Sequence, residues 1–266
     1  ESISDFFSKA KACTTRSQCD VLASNTFGGP IKPVPHQGVF SYTVAAANDT
    51  VIYFNISLAI PDDGLDHQLT TVRSLARFFA QSWQNRSPPD PNTIPTISAD
   101  CYSSFDYLST NLPDRFQVTI TQVQKGLPTL FSGKYPLVVT HGDLSEMNIL
   151  ADPATGEIAG IIDWAEAGIQ PFGFALYALD NILGYLTLNE WAFHGTAEYL
   201  RDEFWRVFRE LVGGVSGSEM EFIQLAKLAG LFLRYGIPYK SGRKGVVGVG
   251  GPNSTSIKIL DALVLG

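Results

Sequence analysis

Three cysteines in 266 residues, Cys13, Cys19 and Cys101, are too few and odd in number for a disulfide framework, and they suit a reducing compartment. The four histidines and these cysteines show no zinc-ligand spacing, and no Gly-x-Ser-x-Gly nucleophile motif occurs. Positive charge is short as well. With 19 Lys and Arg against 26 Asp and Glu, the formal charge is −7, which disfavours nucleic acid or an anionic membrane as the main partner. No apolar run approaches the roughly 18 residues that suggest a membrane span, and no basic, apolar, small-residue signal pattern opens the sequence. The expected location is the cytoplasm. Two local gaps matter later: no lysine lies between Lys32 and Lys125, and no glutamate between Glu1 and Glu146.

What remains is ample for folding. Hydrophobic residues make up 45% of the chain and charged ones 17%, enough for one large core or two small ones. Residues 3–24 read as one or two short helices ending near Gly28-Gly29-Pro30. QGVFSYTVAA and DTVIYFNISLAI are rich in β-branched and aromatic residues around Ala-Asn-Asp, the pattern of a hairpin. In LDHQLTTVRSLARFFAQSW, the residues Leu69, Val72, Leu75, Ala76, Phe79 and Trp83 recur at helical spacing. NRSPPDPNTIPTISAD, with its prolines, reads as a surface linker, and SSFDYLSTNLPDRFQVTITQVQKGLPTLFSG as further helix.

PLVVT is a short strand running into HGDLSEMNIL, and NILAD-PATG-EIAGIIDW reads as strand, tight turn and strand. The last hundred residues read as helices over FALYALDNILGYL, TAEYLRDEFWRVFRELVGG and EMEFIQLAKLAGLFLRYGIP, the last with a capping box from Ser218 to Glu221 and a stop at Gly236 and Pro238. GRKGVVGVGGPNSTS reads as a surface loop, and Arg73 and Arg77, four apart on one helix, as solvent-facing ion pairs with an anion as the alternative partner.

The hairpin gives HGDLSEMNIL its chemical interest. Asp143 lies on the loop, Asn148 begins the first strand, and the fold-back at PATG returns Asp163 to the neighbourhood of Asn148. Two carboxylates and an amide oxygen would converge. Oxygen ligands of this kind suit Mg²⁺, which takes one or two protein groups and completes its shell from phosphates and water. Taken singly, each residue also has a plainer role: Asp143 as a turn cap, Asn148 as a backbone partner, Asp163 as polar punctuation at a strand end.

The run H-G-D-L-S-E-M-N, followed by I-I-D-W, resembles the signatures of the aminoglycoside phosphotransferase and choline kinase-like family, a branch of the protein-kinase-like fold, and PFGFALYALD resembles its fungal members. The resemblance implies an α+β, two-lobe, kinase-like protein, with a reduced N-terminal lobe over 1–66 and a mostly helical lobe over 67–266 that holds the catalytic loop and metal-binding hairpin. It implies Asp143 as catalytic base, Asn148 and Asp163 as Mg²⁺ ligands, and His141 as a brace of the catalytic loop. ATP and Mg²⁺ are the implied cofactors and a small-molecule hydroxyl the implied acceptor, with Glu166 a candidate contact for a cationic or neutral acceptor. Glu146 also flanks the site, and a solvated carboxylate is the plainer role for it and for Glu166. Trp191, Phe193, Trp205 and Tyr235 are candidates for an acceptor pocket, though helical spacing favours core packing.

The sequence also departs from that family. Kinase-like sites use a strand lysine held by a helix glutamate, and the two gaps noted above leave no such pair in the first 124 residues; Asn55 stands about where the lysine is expected. The segment between the first hairpin and the helix ending at Trp83 is too short for three more strands at about 3.3 Å per residue. Lys32 is a candidate substitute for the lysine and more plainly a surface charge, while the prolines after Gly28-Gly29 make that stretch a poor phosphate cradle. A second expectation therefore stands beside the phosphotransferase: a kinase-like scaffold that has lost ATP handling and binds a small molecule or protein, or catalyses another reaction.

Overall fold

A computed structural model describes residues 16–17, 20–21, 24, 30–33, 41–45, 51–55, 64–86, 92–152, 154–187, 190–237 and 255–266. Of the expected helices over 3–24 only residues 16–17, 20–21 and 24 are described, all helical, while the Gly28-Gly29 turn and most of the GRKGVVGVGGPNSTS loop lie outside the described residues. The chain divides into two compact units, Glu1–Gly64 and Leu65–Gly266.

In the first unit, β1 (Lys32–Pro33), β2 (Ser41–Ala45) and β3 (Val51–Asn55) form an antiparallel sheet in that order. β2 and β3 are the expected hairpin, in register from Ser41 opposite Asn55 to Ala45 opposite Val51, and Val44 is fully buried.

The second unit is mainly helical. Its first helix, α1 (Leu65–Gln84), buries all six residues of the apolar stripe read from the sequence. Two helices follow, α2 (Thr93–Asn111) and α3 (Gln117–Leu130), joined by one turn of 3₁₀ helix at Asp114–Phe116. The expected linker is therefore wrong beyond Asn92. Pro95 sits in the first turn of α2, where a missing N–H breaks no helical bond, so proline content there marks a helix start.

Strands β4 (Leu137–Thr140), β5 (Ile149–Ala151), β6 (Ile158–Ile161) and β7 (Gly168–Pro171) make two antiparallel pairs, β4 with β7 and β5 with β6. The helix expected over FALYALDNILGYL is shorter than read: α4 (Tyr177–Leu183) ends at Gly184, and Gly184–Leu186 pairs as β8 with β9 (Trp191–Phe193). A Cβ on Gly184 would strike the Trp191 indole nitrogen at 2.5 Å, so the close hairpin pairing needs glycine there.

Three helices complete the unit: α5 (Ala197–Leu211), α6 (Gly217–Tyr235) and α7 (Thr255–Leu260). The capping box of α6 belongs to Ser216 and Glu219, two residues before the expected pair. Ser216 Oγ accepts from Glu219 N–H at 3.2 Å, and Glu219 Oε2 accepts from Ser216 N–H at 2.9 Å. Both pairs satisfy the three-residue spacing, and the helix begins at the one preceded by extended chain, with Ser216 at φ −67°, ψ 160°.

Two aromatic clusters hold these layers. Phe79 and Trp83 of α1 meet Phe204 and Phe208 of α5 and Phe172, and Phe105 and Phe116 meet Phe232 of α6. Most contacts are edge-to-face, each worth about 0.5–1.5 kcal/mol beyond the buried area. Trp205 stacks edge-on against Phe204 and Phe208, so packing is its role. Arg73 pairs with Glu203 at 2.6 Å and Arg77 with Glu157 at 3.4 Å, which makes carboxylates the partners of both. Glu203 also meets Arg206, and the hydrogen bonds from Arg206 and Arg73 pull its carboxyl down to about 2.

α6 lies so near the segment before α4 that a Cβ on Gly230 would overlap the Phe174 carbonyl oxygen. That oxygen is backbone and cannot rotate away. Gly230→Ala is expected to destabilise the protein by about 2–3 kcal/mol despite alanine's better helix propensity; an unchanged or higher urea midpoint would contradict the close approach. Among the described residues, no helix is long and apolar enough to cross a membrane.

Candidate active site

Antiparallel pairing of β4 with β7 places Thr140 opposite Gly168, so the loops that leave these two strand ends, 141–148 and 162–167, face each other. The second hairpin locks them together from below. Its last ladder pair is Ile149 with Ile161, and Ile162 N–H then donates to the Asn148 carbonyl at 3.0 Å. Asp163 is therefore one residue past a direct backbone tie to Asn148. The hairpin's turn is fixed in its turn by α1, where the Thr71 hydroxyl donates to the Gly156 carbonyl at 2.6 Å.

His141 is 1% exposed and sits between the loops. Its Nε2 lies 2.7 Å from the Ile162 carbonyl oxygen, which can only accept, so Nε2 carries the proton. Nδ1 then accepts from the Asp143 N–H at 3.3 Å. With both ring nitrogens engaged, the imidazole braces the loop. Its ring also meets Trp164 edge-on at 4.7 Å, and the Trp164 N–H donates to the Ile161 carbonyl at 2.8 Å.

Gly142 adopts φ +78°, and a Cβ there would overlap the carbonyl oxygen of Glu166. The H-G-D spacing thus needs glycine twice over, for conformation and for space. Tyr177 on α4 holds the other side: its hydroxyl accepts from the Leu144 N–H at 3.0 Å and donates to the Gly142 carbonyl at 3.2 Å. Burial raises this phenol to about 12, so it keeps the proton that it donates.

Asn148 is nearly buried, and its Nδ2 donates to the Asp143 backbone carbonyl at 2.7 Å. That bond assigns the amide: nitrogen to the loop, Oδ1 left as an acceptor beside the hairpin. Asp163 is the only described non-glycine residue at positive φ, with φ 61° and ψ 61°. Aspartate tolerates this left-handed conformation better than most residues, at a cost of about 1–2 kcal/mol that the two flanking turns must hold. Asp163 and Glu166 are both exposed.

Asp143 has a partner that the sequence reading did not anticipate. Arg234, in the last turn of α6, brings Nη2 to 2.6 Å from Asp143 Oδ1; the Arg234 side chain is 9% exposed and that of Asp143 29%. The approach is off the hydrogen-bond axis, so the pair is a charge contact, and Arg234 Nε and Nη1 have no hydrogen-bond partner among the described residues. Glu146 is near the same charges. Burial pushes its carboxyl up, Arg234 pulls it down and Asp143 pushes it up. Behind the site, Tyr235 donates to Asn181 Oδ1 at 2.8 Å, and Lys227 and Arg201 flank the buried Asp180.

The structure thus brings Asp143, Asn148, His141 and Ile162, the residue before Asp163, into one hydrogen-bonded unit. Of the four aromatic candidates, Tyr235 and Trp205 are committed to packing, while Phe193 lies under the Arg201 guanidinium at 5.0 Å on the β8–β9 hairpin. Sequence reasoning missed Tyr177 and Arg234. The one signal available for Arg234 was a cation inside the otherwise apolar run AGLFLRYGI.

Among the described residues, no three His, Cys, Asp or Glu side chains cluster as a metal site. A Mg²⁺ site of two protein oxygens completed by phosphates needs no such cluster, and an amide oriented with Oδ1 free beside a carboxylate-bearing turn fits that donor set.

Comparison with solved structures finds proteins similar to this chain at low identity. The GDP complex of wild-type aminoglycoside 2'-phosphotransferase-IIIa is 12% identical, with a TM-score of 0.43 over 84% of this chain and 91% of that one. Aminoglycoside-3'-phosphotransferase of type VIII is 19% identical, with a TM-score of 0.42 over 80% and 78%. An aminoglycoside phosphotransferase from Streptomyces rimosus, in complex with ADP and streptomycin, is 15% identical, with a TM-score of 0.38 over 86% and 84%. No curated protein matches the sequence. The family model described as "Phosphotransferase enzyme family" matches residues 61–204, which contain the catalytic-type loop, both strand pairs and α4. With more than half of its length matched by that model, the chain belongs to the phosphotransferase enzyme family.

Proposed function

We propose that this protein transfers the γ-phosphoryl group of ATP to a hydroxyl of a small molecule, with Mg²⁺. The observation that carries the reading is the hydrogen-bonded unit joining Asp143, His141, Asn148 and Ile162, the residue before Asp163, in a chain of the phosphotransferase family. Asp143 accepts the acceptor's hydroxyl proton as the new oxygen–phosphorus bond forms and the bond from the γ-phosphorus to its bridging oxygen breaks, the electron pair leaving with ADP. His141, held on both nitrogens, keeps the Asp143 N–H and therefore the loop in place. Asn148 Oδ1 and the Asp163 carboxylate would hold Mg²⁺, which supplies neutralisation of the phosphate charge when bound. Glu166, exposed at the rim, is suited to a cationic or neutral acceptor. The acidic balance of the chain sets nucleic acid aside as a partner.

The scaffold reading keeps one specific support, the absence of lysine between Lys32 and Lys125 and of glutamate between Glu1 and Glu146. Nucleotide binding separates the two. A ligand that binds only the folded state raises its melting temperature, by an amount equivalent to about 2.7 kcal/mol at one hundred times its dissociation constant. Millimolar ATP with Mg²⁺ is expected to raise the melting temperature of the parent, and Asp163→Ala to abolish the magnesium-dependent part of that rise. No shift in the parent would favour the scaffold; an unchanged shift in Asp163→Ala would remove Asp163 as a metal ligand.

A further inference from the structure

Between Lys134 and Arg201 the chain has no lysine or arginine, yet this stretch holds Asp143, Glu146, Asp163 and Glu166. Any side-chain cation for these carboxylates must come from elsewhere in the chain. For Asp143 it comes from Arg234, the only lysine or arginine paired with it among the described residues.

Two features set this pair apart from a stabilising salt bridge. A buried guanidinium repays its desolvation only when its donors are filled, and Arg234 Nε and Nη1 are buried without hydrogen-bond partners among the described residues. An apolar side chain at this place on α6, beside the buried Phe232 and Tyr235, would pack without that cost. The Asp143 carboxylate is also divided. Oδ1 is buried against Arg234 while the side chain as a whole is 29% exposed, so its exposure falls on the part away from Oδ1.

We propose that Arg234 is the positioning residue of the site: it pins Asp143 Oδ1 inside the protein, holds the carboxylate in one orientation, and thereby leaves Oδ2 to meet the acceptor hydroxyl. This deepens the phosphotransferase reading and rests on Asp143 as its base. The loop 141–148 carries no lysine or arginine, and the last turn of α6 supplies the cation from far along the chain.

The test uses the full chain as parent, Arg234→Lys, Arg234→Met, Asp143→Asn and the Asp143→Asn/Arg234→Met double variant, with turnover of magnesium ATP and melting temperature as readouts. Arg234→Met is expected to lower turnover about 100-fold with the KM for magnesium ATP within about threefold, as for a misplaced catalytic group. Millimolar guanidinium ion should restore at least about tenfold of that loss, and Arg234→Lys should fall between parent and Arg234→Met, since an ammonium keeps the charge and loses the planar fork. Each single substitution at the pair that removes a charge should lower the melting temperature, while the double variant melts at least as high as the parent. Parent-like turnover in Arg234→Met, or a double variant melting no higher than Arg234→Met, overturns the proposal; should Arg234→Met not fold, Arg234→Lys turning over like the parent with no melting change in Asp143→Asn does the same. A parent without nucleotide turnover would instead sink the phosphotransferase reading, and the melting cycle alone would then judge the pair.

Discussion

Asp143→Asn is expected to lower phosphoryl transfer about 1,000-fold while leaving the affinity for magnesium nucleotide within about threefold. Asparagine matches the shape of aspartate, and the backbone carbonyl that orients the Asn148 amide is untouched. What disappears is the carboxylate oxygen that takes the acceptor's proton in the proposed mechanism. The substitution also strands the Arg234 guanidinium, which is 9% exposed. Removing one member of a buried pair costs about 3–5 kcal/mol, and because Asp143 is partly open to water the loss here should be nearer about 1–2 kcal/mol. Turnover per folded molecule, measured with an accepted hydroxyl compound or with water as acceptor, and nucleotide affinity by calorimetry together check the split. Equal losses in rate and in affinity would remove Asp143 as the base.

Gly142→Ala should injure the site without touching a reacting group. At φ +78° an alanine carries about 1–2 kcal/mol of backbone strain, and its Cβ would overlap the Glu166 carbonyl oxygen. That oxygen belongs to the 3₁₀ turn Trp164–Glu166, which is fixed at its start by Asp163 and by the Trp164 N–H bond to Ile161. Relief requires the catalytic-type loop to lift from the turn that follows the hairpin, which breaks the His141 to Ile162 bond and the seat of Asp143. A stability loss of about 2–4 kcal/mol and a turnover loss of about 100-fold are expected, read from the urea midpoint and from rates well below it. Parent-like values for both would mean that the two loops are not packed as described.

Several elements could be read from the residues because their signals are local. The apolar stripe from Leu69 to Trp83 declares α1, and the β-branched runs on either side of PATG declare the β5–β6 hairpin. Once the hairpin is granted, the approach of Asn148 to the turn at Asp163 follows from antiparallel register. The misreadings were local as well, and each had two valid solutions. A proline-rich run reads as loop until Pro95 occupies the first turn of α2; Ser216 and Ser218 each have a glutamate three residues on; and Gly184 divides an apolar run into a short helix and a hairpin because the Trp191 indole lies where a side chain would go.

By itself, then, the amino-acid order determined the strand, the loop and the hairpin that carry Asp143, Asn148 and Asp163, since periodicity and turn chemistry act over a few residues. Packing of whole helices decided the rest: that His141 is locked on both nitrogens, that Tyr177 clasps the loop, and that Arg234 from the end of α6 meets Asp143. A charge pair between residues so far apart depends on the distance and angle at which two elements pack, and no short stretch of sequence encodes either.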